Sequence, residues 1–147
     1  MRADVRRILL AEDNLNDVEL TLAALHAHRL ANEVVVVRNG EEALDYLYRR
    51  GEFSTRDPAP PAVVLLDLKM PKVDGLEVLR IVKADPALHM IPIVVLTSSR
   101  EERDLVKSYD LGVNAYVVKP VDFQAFMEAV KLLGGFWAAL NEPPPPR

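Results

Sequence analysis

Four consecutive valines, Val34–Val37, restrict the possible folds more than any other feature. An amphipathic helix or a half-solvated strand cannot use an unbroken apolar run, because each leaves alternate or periodic positions in water. A strand buried on both faces can, and such strands belong to parallel sheets covered by helices. The same signature recurs at Ile8-Leu9-Leu10-Ala11, Val63–Leu66, Ile93–Leu96 and Ala115–Val118. Between these runs the pattern changes to helical spacing. Leu15, Val18, Leu22, Leu25 and Arg29 recur every three or four residues. So do Ala43, Leu44, Leu47 and Tyr48, then Leu76, Leu79 and Val82. The fourth helix has only weak marks, Leu105, Val106 and Tyr109, before Gly112. The fifth carries a sustained stripe from Phe123 through Phe126, Val130, Leu133 and Trp137 to Leu140. Five strands alternating with five helices predict one doubly wound α/β domain.

Local chemistry supports these boundaries. Asn14, Asn39 and Asp74 are suited to N-caps, with Asp17 and Glu42 three residues after the first two. Asp85-Pro86 ends the third helix. Gly51–Pro61 reads as a connection of about ten residues, longer than usual for this kind of fold. The chain has 147 residues, which fits one domain spanning 5–141 followed by a proline-rich tail at 142–147. There is no cysteine, and the three histidines do not have zinc-ligand spacing. A net charge of -4 argues against nucleic acid as the partner. No apolar run is long enough for a membrane span, and no signal-peptide core precedes the first strand. The expectation is a cytoplasmic protein.

The polar residues that close the strands carry the chemistry. Strand 1 ends in Glu12-Asp13, strand 3 in Asp67, strand 4 in Thr97 and strand 5 in Lys119. In a parallel sheet these ends share one rim, where sites of open α/β folds lie. Clustered carboxylates repel and raise one another's pKa unless a cation relieves them. Oxygen donors without Cys or His favour Mg²⁺. A lysine ammonium and a threonine hydroxyl suit phosphoryl oxygens. Together these groups support phosphoryl transfer onto a carboxylate nucleophile.

In this order the residues resemble the receiver domain of bacterial two-component response regulators, from Arg7 to about Leu140. Glu12-Asp13 match the family's acidic pair. Asp67, Met70-Pro71 and Asp74-Gly75 match its D-x-x-M-P-x-x-D-G phosphoacceptor motif. Thr97, Tyr116 and Lys119-Pro120 match its hydroxyl, switch aromatic and lysine-proline pair. The resemblance implies the receiver fold with strand order 2-1-3-4-5 and phosphorylation of Asp67 by a sensor histidine kinase. It also implies Mg²⁺ held by Asp13, Asp67 and the Lys69 backbone carbonyl, with Glu12 acting through water. Lys119 would pair with Asp67 and then with the phosphoryl group, and Lys119-Pro120 would be cis. Thr97 and Tyr116 would form the switch. Lys69 and Ser99 occupy the positions that tune hydrolysis, which such domains catalyse on themselves.

A closer resemblance is to the small stand-alone receivers that serve phytochrome-type and hybrid sensor kinases. It rests on Ala11–Asn14, the long Gly51–Pro61 loop, Lys107–Leu111 and Phe136-Trp137. Output would then pass to a downstream protein target or to a phosphotransfer protein. Phe136, Trp137 and Leu140 either complete the core face of the last helix or bury against a second subunit, and a homodimer is the expectation. Three rival classes remain to be separated by experiment. They are a haloacid-dehalogenase-type phosphohydrolase or phosphotransferase, a flavodoxin-like cofactor binder and a non-phosphorylated scaffold. The first would need a D-x-D nucleophile at strand 1, where this chain has Glu12-Asp13-Asn14. The second lacks its phosphate-cradling loop here.

Overall fold

The computed structural model describes residues 7–26, 33–70, 72–99, 102, 113 and 115–132. Five strands form one parallel sheet: β1 (Ile8–Ala11), β2 (Val34–Val37), β3 (Val63–Asp67), β4 (Ile93–Thr97) and β5 (Tyr116–Val118). Their order is β2-β1-β3-β4-β5, as the family resemblance implies. Four α-helices are described: α1 (Leu15–His26), α2 (Gly40–Tyr48), α3 (Gly75–Ala84) and α4 (Phe123–Leu132). The weakly patterned helix expected around Leu105–Gly112 lies outside the described residues. So do Asn32, Leu133, Phe136, Trp137, Leu140 and the proline run.

Alternate strand residues divide the core between the two faces of the sheet. Leu9, Ala11, Val64, Leu66 and Val95 pack with Leu44 and Leu47 of α2 and Leu79 and Val82 of α3. Ile8, Leu10, Val63, Leu65, Val94 and Leu96 pack with Val18 and Leu25 of α1 and Phe126 and Met127 of α4. Every residue of β1, β3 and β4 is buried. The four valines are less buried than their run suggests. Val34, Val35 and Val36 are only half-buried, because β2 is an edge strand with a single neighbour.

Three helix starts expected from the sequence carry side-chain caps. Asn14 Oδ1 accepts from Asp17 N at 3.0 Å, Asn39 Oδ1 from Glu42 N at 2.8 Å, and Asp74 Oδ1 from Glu77 N at 2.9 Å. Each satisfies a backbone donor left open by the first helical turn. Glu42 does not close a reciprocal capping box onto Asn39 N; its Oε1 accepts from Arg38 N instead.

Periodicity misjudged the rotation of two helices. Leu15 heads the α1 stripe but is 59% exposed, while Thr21 is buried. In α2 it is Tyr46, not Tyr48, that turns inward. Tyr46 meets Phe53 edge-on at 5.1 Å, with the Arg56 guanidinium 4.3 Å above its ring. Arg56 also donates to the Tyr46 carbonyl at 2.7 Å, which ties the long Gly51–Pro61 connection onto the end of α2. Tyr48 instead reaches out to donate to Asp85.

Candidate functional site

Register brings the rim residues together. Ala11 lies opposite Leu66, Asp67 opposite Leu96, and Thr97 opposite Val118. The next residues along, Glu12 and Lys119, therefore emerge on the same side as Asp67. Two backbone bonds hold these exits, Glu12 N to the Val37 carbonyl at 3.0 Å and Lys119 N to the Thr97 carbonyl at 2.8 Å. The Lys119-Pro120 peptide is cis.

The exit of β3 is shaped by Gly75. Its N–H donates to the Leu68 carbonyl at 2.8 Å, so α3 begins directly against the chain leaving Asp67. A Cβ on Gly75 would lie 2.1 Å from the Asp67 carbonyl oxygen and 2.7 Å from Leu68 Cα. Glycine is required at this position for space.

Around this exit the structure gathers Glu12, Asp13 and Asp67, each offering a carboxylate oxygen within 4.8 Å of the others. Glu12 is 1% exposed and Asp67 is 4% exposed, whereas Asp13 faces the open cleft. The Asp67 carboxyl is pushed up to about 7, first of all by burial. The neighbouring Glu12 contributes to this rise, and Lys119 opposes it. Such a cluster is suited to a hard divalent cation, which lets buried carboxylates ionise together.

Lys119 supplies the positive charge. Its Nζ lies 3.4 Å from Asp67 Oδ1, as the resemblance implied, but closer to two other carboxylates. These are Asp17 Oδ2 at 2.9 Å and Glu12 Oε1 at 3.1 Å. Burial alone would lower the lysine pKa, yet bonds to Asp17 and Glu12 and the charge of Asp67 outweigh it and raise it. In the sequence Asp17 is marked only by lying three residues after the Asn14 cap. Its link to Lys119 depends on where that helix crosses the rim.

Thr97 is fully buried, and its Oγ1 has no hydrogen-bond partner among the described residues. A buried hydroxyl without a partner costs free energy. It stands at the end of β4, one residue beyond Leu96, which lies opposite Asp67. Tyr116 is half-buried, and its hydroxyl donates to the Val113 carbonyl at 3.1 Å. Lys69 lines the cleft with its side chain exposed, and its Nζ is 3.4 Å from Glu102 Oε2.

Glu102 was also missed in the sequence reading. Its Oε1 accepts from Ser98 N at 3.1 Å and its Oε2 from Ser98 Oγ at 3.0 Å, while Glu102 N donates to Ser99 Oγ at 3.2 Å. The Ser99-x-x-Glu102 spacing is a capping-box signal that could have found it. Together these bonds brace the segment leaving β4, and the Lys69 ion pair joins that segment to the one leaving β3.

The family model described as "Response regulator receiver domain" matches residues 8–131. Response regulator Rcp1 of Synechocystis sp. is 38% identical over 130 residues, covering 88% of this chain and 87% of Rcp1. The solved structure of the bacteriophytochrome response regulator AtBRR is 64% identical and superposes with a TM-score of 0.89, covering 93% of this chain and 98% of that one. The Mn²⁺-bound form of Rcp1 superposes with a TM-score of 0.72 at 34% identity, covering 95% of this chain and 99% of that one. That relative was solved with a divalent metal bound. On this combination of topology, rim chemistry and likeness along its length, the chain belongs to the receiver-domain family of response regulators.

Proposed function

We propose that this protein is a response regulator of phytochrome signalling that accepts a phosphoryl group on Asp67 from a sensor histidine kinase. The observation that carries this reading is the placement of Asp67, a buried carboxylate with Lys119 beside it and two further acids within ligand distance. The likeness to a bacteriophytochrome response regulator supports the choice of kinase class.

In the transfer, an Asp67 carboxylate oxygen attacks phosphorus. The bond from phosphorus to the donor's nitrogen or oxygen breaks, and the leaving group departs with that electron pair. Asp13, Asp67 and the Lys69 carbonyl would hold Mg²⁺, with Glu12 acting through water. A cation held there would supply positive charge for the phosphoryl oxygens. Lys119 contributes a second positive charge from the protein itself. The Thr97 hydroxyl turns to donate to a phosphoryl oxygen, which gives that orphaned group a partner, and Tyr116 moves into the space it vacates. The changed surface is read in the cytoplasm by a downstream protein or a phosphotransfer protein.

Incubation with acetyl phosphate and Mg²⁺ is expected to add one phosphoryl group, read as an intact mass. Asp67→Asn is expected to abolish the addition. Equal incorporation in the variant would overturn the assignment of Asp67. Phosphotransfer from a phytochrome-type kinase, followed as loss of its phosphohistidine label, tests the partner class. Failure to accept that label while acetyl phosphate still works would overturn it.

The aromatic stripe of the C-terminal segment supports a homodimer. Light scattering is expected to give a two-subunit mass, and a one-subunit mass both with and without phosphorylation would refute the dimer.

A further inference from the structure

Lys119 has three N–H donors, and three carboxylates surround it. Asp17 is nearest at 2.9 Å, Glu12 follows at 3.1 Å, and Asp67 is the most distant at 3.4 Å. The ammonium is therefore held more closely by its neighbours than by the carboxylate it serves. The two close partners differ in depth. The Glu12 side chain is 1% exposed, and that of Asp17 is 27% exposed, on the first turn of α1. Asp17 is itself fixed, because its backbone N–H is bonded to Asn14 Oδ1. It therefore anchors Lys119 at the outer side of the cleft, with Glu12 on the inner side.

We propose that Asp17 is a positioning residue that holds the Lys119 ammonium in the resting site and is the contact surrendered when Lys119 engages the phosphoryl group on Asp67. The inference rests on Asp67 being the phosphoacceptor. Phosphorylation adds oxygens of high charge density at Asp67. The ammonium turns its donors towards them, and Glu12, on the inner side, remains a partner. Asp17 is bound to the helix and cannot follow. Its pairing with Lys119 stabilises the unphosphorylated state and is absent from the phosphorylated one. Asp17 thus opposes the forward transfer without affecting the survival of the product.

Asp17→Asn tests this through two rates measured on the full chain. With acetyl phosphate and saturating Mg²⁺, phosphorylation is expected to accelerate roughly twofold to fivefold, the range of a partly exposed ion pair. After donor removal, the half-life of the phosphorylated protein is expected to match that of the wild type. Asp17→Glu keeps the charge and restores the slower phosphorylation. The idea fails if Asp17→Asn leaves phosphorylation unchanged or slower, or if it alters the half-life by the same factor.

A second arm needs no variant. A crystal structure of the wild-type protein with Mg²⁺ and beryllium trifluoride, a phosphoryl mimic, is expected to show Lys119 Nζ more than about 4 Å from Asp17, beyond ion-pair distance. Persistence of the close pair overturns the proposal. If the wild type takes up no phosphoryl group, or Asp67→Asn takes it up equally, the phosphoacceptor reading fails. If phosphorylation on Asp67 is normal but these rates and distances do not change, only the role of Asp17 fails.

Discussion

With divalent cations chelated, raising the pH from about 5 to 8 is expected to destabilise the wild-type protein by about 2–3 kcal/mol through Asp67 alone. The reason is the direction of its shift. Burial and the Glu12 carboxylate raise the Asp67 pKa from 3.8 in the free side chain to about 7. Between these values the folded protein binds a proton that the unfolded chain releases. The stability this provides is complete below about 4 and is lost as the pH passes through about 7. Above that, the folded state holds a charged carboxylate beside Glu12, with Lys119 shared among three acids.

Asp67→Asn removes the group. The variant is expected to match the wild type below about pH 4 and to exceed it increasingly up to pH 8, as measured by urea denaturation in the presence of chelator. Adding Mg²⁺ at pH 8 is expected to return most of the loss to the wild type and much less to the variant. A stability difference between the two proteins that stays constant with pH would contradict this account of the site.

Gly75→Ala is expected to cost about 3 kcal/mol, as overpacking against rigid atoms does. Alanine ordinarily gains up to about 1 kcal/mol over glycine within a helix. That gain cannot be realised here, because the new Cβ would meet the Asp67 carbonyl oxygen at 2.1 Å and Leu68 Cα at 2.7 Å. These are backbone atoms with no rotamer to change. Either α3 backs away from the sheet or the end of β3 shifts, and the second displaces Asp67 from Lys119 and the other acids. Phosphorylation from acetyl phosphate is therefore expected to slow by tenfold or more, on the order reported for displacements of about 1 Å from productive geometry. Chemical denaturation and the initial rate of mass gain measure the two effects. A variant as stable and as fast as the wild type would show that the close approach is not required.

The two results expose different parts of one design. Gly75 governs where the nucleophile sits, and burial, with Glu12 and Lys119 beside it, governs how readily it ionises there. Lys119 reaches its carboxylate partners across 102 residues of sequence to Asp17 and 107 to Glu12. The site's charge balance is thus made almost entirely by long-range pairing.

The sequence by itself determined the five strands, the four described helices and the rim residues. Buried strands and amphipathic helices are written in consecutive residues, and Glu12, Asp67, Thr97 and Lys119 each follow an apolar run. Caps at Asn14, Asn39 and Asp74 were legible for the same local reason. Only the tertiary structure decided that the valine strand, whose edge position the resemblance already implied, is no more than half-buried over most of its length, that Tyr46 rather than Tyr48 is buried, and that Leu15 faces outward. Those outcomes depend on which neighbours a strand acquires and how a helix is rotated against the sheet. Which carboxylate holds Lys119 was beyond the sequence for the same reason. Asp17, Glu12 and Asp67 are chemically alike, and they differ only in distances set by how α1, β1 and β3 are packed.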